Sequence, residues 1–274
     1  MKRQIIQRPG VGVTAHYIQR RRLLLHRVTI DLPSLVLVQR GAKTLRHQGT
    51  CILLRAGDAI AIAGGTSFDV TNQPDKDGVY EAAALVFDPQ LIAEANNNQS
   101  ENHKPKPTIT PIRPAPPELR DAFRRTLEAI HNQQQVPQTV ALHRAREVLA
   151  WLETLGGGFA PHLHESIARR VRTLLSTAPD QRWRAPQVAR QLGMSEATLR
   201  RHLAAENQSL STLLIEVRMS HALVLIQATD LPITQIALEV GYESAARFSA
   251  RFRSRFGHPP SAIRKPDTAL IESA

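Results

Sequence analysis

The sequence predicts an α+β chain, with an antiparallel β domain in front and an all-helical domain behind. Three observations predict it. Between Ser34 and Phe87 short apolar runs alternate with turn residues, as in an antiparallel sandwich or barrel. From His162 onward apolar residues recur at helical spacing. Within that second region, residues 184–206 and 232–256 each read as a short helix, a glycine and a second helix.

The first 30 residues carry Lys2, Arg3, Arg8, Arg20, Arg21, Arg22 and Arg27 before the first acid, Asp31, and read as a solvated basic edge. The apolar runs 35–39, 42–46, 50–54, 59–63, 67–71 and 80–87 are separated by Gly41, Gly49, Gly57, the pair Gly64 and Gly65, and a loop over 74–78. Leu35, Leu37, Ile52, Leu54, Ile60 and Ile62 are either plain core or the lining of a cavity for an apolar effector. Arg20, Arg21, Arg22 and Arg27 are the alternative, a cluster that would hold an anion. The one cysteine, Cys51, excludes an intramolecular disulfide and reads as a small buried strand residue.

Residues 89–95 read as a short helix. The stretch 96–118 is polar and Pro-rich, hence an extended surface connection. Helical spacing returns over 118–131, with Leu119, Phe123, Leu127 and Ile130, and over 140–155, with Leu142, Ala145, Val148, Leu149 and Leu152. Gly156, Gly157 and Gly158 then release the chain. The expected domains are 1–158, 159–266 and a tail over 267–274.

In the first helix–turn–helix pattern Val188, Ala189 and Leu192 form an apolar face, Gly193 breaks the helix and Ser195 caps the next, whose core face is Leu199 and Leu203. Glu196, Ala197, Arg200 and Arg201 face outward. In the second pattern Ile233, Ile236, Ala237 and Val240 form the face and Gly241 the break. Phe248, Phe252 and Phe256 then stack on one side of a helix whose other side carries Arg247, Arg251, Arg253 and Arg255 among small Ala245, Ala246, Ser249 and Ala250. Guanidinium groups projecting from a helix whose backbone can come close to a partner suit a DNA major groove. Residues 210–228 form the bridging helix, with Arg218 as a candidate phosphate contact. The charge balance agrees: 35 Lys plus Arg against 24 Asp plus Glu, net +11, favours a polyanion.

The run from Ile236 to Arg264 resembles the signature of the AraC/XylS family of bacterial transcription regulators. The residues that carry it are Ile236, Ala237, Gly241, Tyr242, Ser244, Phe248, Phe252, Arg253, Gly257, Pro260 and Arg264. Pro259 and Ile263 depart from it, replacing a hydroxyl residue and an aromatic one. Residues 53–62 resemble the Gly-Asp turn of cupin-type jelly rolls, and 35–45 resemble the sensor domains in front of many AraC-type regulators. The resemblance implies a cytoplasmic, nucleoid-associated regulator, more often an activator, that binds double-stranded promoter DNA and RNA polymerase under the control of a cupin-like front domain. It carries over as DNA-binding residues Ser195, Glu196, Ala197, Arg200, Arg201, Arg218, Ala245, Ala246, Arg247, Ser249, Ala250, Arg251 and Arg253. It also implies that the helix over 140–155 forms an antiparallel homodimer seam, a reading compatible with packing on the β domain.

Three alternatives stand for the front domain: a small-molecule effector, a protein coregulator with no small molecule, and a metal-dependent cupin enzyme. The last is disfavoured, because a metal needs three or four converging ligands while His16, His26 and His47 are well separated and include no His-x-His pair. His162 and His164 precede a helix and do not share a face. No metal, no cofactor and no enzymatic activity are expected. No apolar run of membrane-spanning length is apparent either, so no membrane partner is expected.

Overall fold

A computed structural model of the chain describes residues 5–97, 107–159 and 166–264. Expectations that fall on Lys2, Arg3, His162, His164, residues 98–106 of the connection and the tail lie outside the described residues.

Ten strands form the front half among the described residues: β1 Ile5–Arg8, β2 Gly12–Gln19, β3 Leu23–Ile30, β4 Ser34–Arg40, β5 Ala42–His47, β6 Thr50–Arg55, β7 Ala59–Ile62, β8 Thr66–Gln73, β9 Tyr80–Phe87 and β10 Ile109–Ile112. They pair antiparallel in two sheets, β1-β2-β9-β4-β7-β10 and β3-β8-β5-β6. The facing sets β2-β9-β4-β7 and β3-β8-β5-β6 are the winding of a jelly roll.

Three expectations are corrected here. Residues 5–30 form three strands, and Arg20 to Arg22 and Arg27 sit where strands are interrupted. Arg20 to Arg22 occupy the β2–β3 turn, and Arg27 lies at a bulge in β3 with φ of 50°. Arg8 is buried, its guanidinium donating to the Ala129 and Val136 carbonyls and to Gln138. The connection also contributes β10, which pairs with β7 at the sheet edge, where Pro111 is tolerated. Cys51 is exposed rather than buried, because along β6 it alternates with buried Ile52 and Leu54 and so points to the outer face.

Alternation along β4 and β7 separates two cores. Val36, Ile60 and Ile62 point between the sheets, whereas Leu35, Ala59 and Ala61 point to the opposite face, with Leu37 partly buried beside them. The pairs Leu35 and Leu37, and Ile60 and Ile62, therefore do not line one cavity. The second face is covered by α1 Pro89–Asn97, α2 Pro117–His131 and α3 Gln138–Thr154. In α3 the residues Ala141, Ala145, Val148, Leu149 and Leu152 are buried in this layer.

The back half is helical: α4 Ile167–Ser176, α5 Ala185–Gln191, α6 Glu196–Ala205, α7 Leu210–Ala228, α8 Ile233–Glu239, α9 Ala245–Phe256 and α10 Pro260–Arg264. Around α5 and α6 a separate core forms from Val171, Leu175, Trp183, Val188, Leu199, Leu203, Leu213 and Val217. The second unit has no such separate core. Met219, Leu223, Ile226, Ile236 and the three phenylalanines of α9 join one apolar cluster with Leu25, Ile60 and Phe68 between the sheets. α7 is long and apolar enough by composition to cross a membrane, contrary to the expectation that the chain has no such run. Its buried residues pack within the protein, against α4, α8 and β2.

The two halves meet at a charged network. Glu216 on α7 accepts hydrogen bonds from Arg172 of α4 and, at 2.8 Å, from Arg255 of α9. Arg172 continues to Asp31 at 2.8 Å, and Arg255 to Thr29 Oγ1 at 3.1 Å. Burial pushes the Asp31 carboxyl up to about 6, against the pull of Arg172. Neutralising the shared acid by Glu216→Gln leaves Arg172 with Asp31 alone and Arg255 with the Thr29 hydroxyl in place of a carboxylate. A loss of about 3–5 kcal/mol is expected, read as a lowered urea midpoint together with faster proteolysis between α3 and α4.

Candidate nucleic-acid interface

Both helix–turn–helix units are built by the same bonds. In the first, Gly193 turns with φ of 71° and Met194 N–H donates to the Ala189 carbonyl at 3.0 Å. In the second, Gly241 turns with φ of 77° and Tyr242 N–H donates to Ala237 at 2.8 Å. A side chain at Gly241 would also strike the Arg218 guanidinium and the Asp180 carbonyl, so glycine is required twice over. Ser195 Oγ then accepts from Thr198 N–H at 3.1 Å, and Ser244 Oγ from Arg247 N–H at 3.3 Å, capping α6 and α9.

Each second helix buries one face and leaves the other to solvent. In α6, Leu199 and Leu203 are buried, while Ala197, Arg200 and Arg201 are exposed. Glu196 is half-buried and holds Arg200 by a 2.8 Å bond one turn away. In α9 the rings of Phe248, Phe252 and Phe256 are sealed, with centroids 5.7 and 4.6 Å apart along the stack. Ala246, Arg247, Ala250, Arg251 and Arg253 are exposed, and Ala245 and Ser249 are half-buried. The structure thus places the named residues of each second helix on or beside its solvent side, where side chains between the arginines are short enough for a duplex to approach.

Three arginines have partners that the spacing did not foretell. Arg255 turns away from the basic side of α9 into the Glu216 network. Arg218 is not a surface projection: it donates to the carbonyls of Pro179 at 2.9 Å and Gln181 at 3.2 Å, with its guanidinium 5.9 Å from the centre of the Tyr242 ring. It therefore braces the loop before α5 against the turn before α9. Arg264 donates to the carbonyls of Ile226, Thr229 and Leu231, satisfying the C-terminal end of α7. In all three cases the acceptors come from distant parts of the chain, so no local signal announces them.

The effector candidates are scattered. Arg20 and Arg22 are exposed at the β2–β3 turn, and Arg27 reaches across to the Ser254 carbonyl at the end of α9. Leu35 and Leu37 face the helical layer, away from Ile60 and Ile62. Buried Arg172 and half-buried Asp31 and Glu216 at the junction, and half-buried Lys43 on β5, carry no local sequence signal, because their partners lie on other elements of the chain. Among the described residues no group of His, Cys, Asp and Glu is placed to hold a metal ion.

Residues 188–266 match the model of a helix-turn-helix domain. Over 100 residues the chain is 31% identical to the HTH-type transcriptional regulator YdeO of Escherichia coli K12, covering 36% of this chain and 39% of YdeO. It is 35% identical over 103 residues to the ornithine utilization regulator of Pseudomonas aeruginosa, covering 38% and 30%. It is 34% identical over 94 residues to the urease operon transcriptional activator of E. coli, covering 34% and 32%. The chain thus spans about two-fifths or less of the length of these relatives, all of which are named as regulators rather than enzymes. Over nearly its whole length it is similar in fold to ToxT of Vibrio cholerae strain SCE256, in a crystal structure with unsaturated fatty acid bound. The TM-score is 0.64 at 14% identity, covering 96% of this chain and 98% of ToxT, a likeness of fold alone.

The caps offer a direct check on the local design. Ser195→Ala and Ser244→Ala are each expected to cost about 1 kcal/mol, and the corresponding glycine variants only a few tenths. Thermal unfolding followed by far-UV circular dichroism measures both.

Proposed function

We propose that the protein, whose residues 188–266 match the model of a helix-turn-helix domain, is a sequence-specific, DNA-binding transcription regulator of the AraC type that sets α6 and α9 into major grooves on one face of promoter DNA. The observation that carries this reading is the pair of capped helices, each with its apolar side sealed and its arginines exposed, held by the single bridging helix α7. A guanidinium can bond guanine O6 and N7 together, worth about 1–3 kcal/mol of discrimination per good pair, whereas alanine only touches a thymine methyl. With Ala245, Ala246 and Ala250 at its reading positions, α9 is assigned mainly to phosphate anchoring through Arg247, Arg251 and Arg253. α6, with Ser195 at its cap and Glu196, Ala197, Arg200 and Arg201 along it, is assigned mainly to base reading.

The front half, residues 1–158, is proposed to control the back half, 159–266, by binding an effector, with activation through contact with RNA polymerase as the favoured output. The name of the urease operon activator supports activation. Dimerisation through the helix over 140–155 is part of the same reading: with the apolar side of α3 spent on the layer beneath, a partner would meet its remaining sides, where Val140 is 38% exposed. Control by a protein coregulator is the alternative to a small molecule. Activity is placed at the chromosome, in the cytoplasm.

The test uses the full chain against a library of promoter and bulk genomic fragments at several salt concentrations. Arg200→Ala is expected to relax sequence preference by about 5- to 150-fold, corresponding to about 1–3 kcal/mol at the bases it reads. Arg253→Ala is expected to weaken all sequences alike and reduce the salt slope by about one. Equal losses on specific and random DNA from both variants would contradict this division of labour, and no preference of the wild type for any promoter would remove the regulator reading.

A further inference from the structure

One acid stands among the cations that α6 and α9 present. α9, Ala245–Phe256, contains no acidic residue, and α6, Glu196–Ala205, contains Glu196 alone. A carboxylate on a surface that meets a polyanion lowers affinity, so its position there calls for an explanation. Capping does not supply one. Ser195 already accepts from Thr198 N–H, and α7 and α9 are capped by Ser209 and Ser244 with no acid in the first turn. Stability supplies little, because the bond from Arg200 to Glu196 joins residues one turn apart and the arginine side chain is 78% exposed. What the bond does fix is the arginine. Arg200 Nη2 is held 2.8 Å from Glu196 Oε1, so guanidinium and carboxylate reach a duplex side by side and already oriented.

We propose that Glu196 and Arg200 act as one unit that reads both bases of a single G·C pair, Arg200 on the guanine and Glu196 on its cytosine. In the major groove guanine shows the acceptors N7 and O6, and cytosine shows beside them the N4 hydrogen that base pairing leaves unused. The guanidinium donates to the first two and the carboxylate accepts the third. The reading has a direction. Turned round, the pair sets cytosine N4 against the guanidinium and guanine O6 against the carboxylate. An adenine on the arginine's side opposes N6 to the guanidinium and thymine O4 to the carboxylate, leaving only adenine N7 to accept. A thymine there is second best: its O4 accepts from Arg200 and adenine N6 donates to Glu196, but a methyl stands in place of N7 and the arginine fork loses one bond. The expected order on the strand that Arg200 contacts is therefore guanine, then thymine, then adenine and cytosine. This inference rests on the assignment of α6 to base reading and supplies the base pair that α6 reads.

The test is selection of binding sites from a randomised duplex library by the full chain and by its Glu196→Ala and Arg200→Lys variants, followed by competition titrations of the four base pairs at each selected position. Arg200→Lys keeps the charge and loses the fork, and is expected to cut the guanine preference at one position by about 5-fold or more with the salt slope unchanged. Glu196→Ala is expected to act at that same position. Without the carboxylate, adenine N7 and thymine O4 each offer Arg200 one bond, so adenine is expected to rise to the level of thymine, while binding to random DNA tightens. A Glu196 that served only the helix would shift affinity for all sequences alike. An unchanged base order in Glu196→Ala, or a change confined to positions that Arg200→Lys leaves alone, overturns the proposal and leaves the regulator reading standing. A wild type that selects no sequence removes both.

Discussion

The structure depends on a single carboxylate. Glu216 lies on α7, the helix between the two DNA-reading units, and takes one arginine from each side: Arg172 from the helix that braces the first unit and Arg255 from the second helix of the second. Through Asp31 and Thr29 the same arginines are bonded to the jelly roll. Desolvated ion pairs contribute little net stability, but they are exacting about geometry, because a misaligned pair keeps the cost of burial without the attraction. The network therefore fixes how α4, α7 and α9 sit on one another and on β3. The spacing and mutual orientation of α6 and α9 follow from that.

Much of this was legible in the sequence, and the reasons differ by region. Glycines at 193 and 241, serines at 195 and 244 and leucine or phenylalanine at helical spacing are local signals, each forced by backbone geometry within a few residues. The helices they predict over 185–206 and 233–256 are present. Strands β4 to β9 were legible for the same reason, being short apolar runs between turns. Strands β1 to β3 were not, because the arginines at their turn and bulge masked the apolar alternation of Leu23, Leu25 and Val28 behind a run of charge. β10 was hidden by proline, which an edge strand accommodates.

The candidate site was legible only in part, and the dividing line is the same. Which residues of α6 and α9 are outward follows from helical spacing. What an outward arginine does instead depends on acceptors far along the chain. Arg255 has its partner 39 residues away, Arg218 bonds carbonyls 37 to 39 residues away, and Arg264 bonds carbonyls 33 to 38 residues away. Arg264 closes the signature of the family, yet here it serves the end of α7 and not a duplex. A motif residue can thus be essential to a binding fold without touching what the fold binds. Lys43 belongs to the same class, since its bond to Asn72 is visible only when the register of β5 on β8 is known.

The packing also makes the two reading units unequal in their exposure to the front domain. The first has a core of its own, and its neighbourhood meets the jelly roll at Arg172 on Asp31 and at Arg169 beside Gly65. The second has its core helices in one continuous cluster with the space between the sheets, and Phe256 is sealed in the cluster that holds Leu25 and Phe68. A ligand shifts a conformational equilibrium only by its difference in affinity for the two states, and close-packed cores convert small displacements into discrete rearrangements. A change between the sheets therefore acts first on α7 and α9, and reaches α6 only through the bridging helix. Since α9 is assigned to phosphate anchoring and α6 to base reading, control exerted from the front domain would change how tightly all sites are held before it changed which sites are preferred.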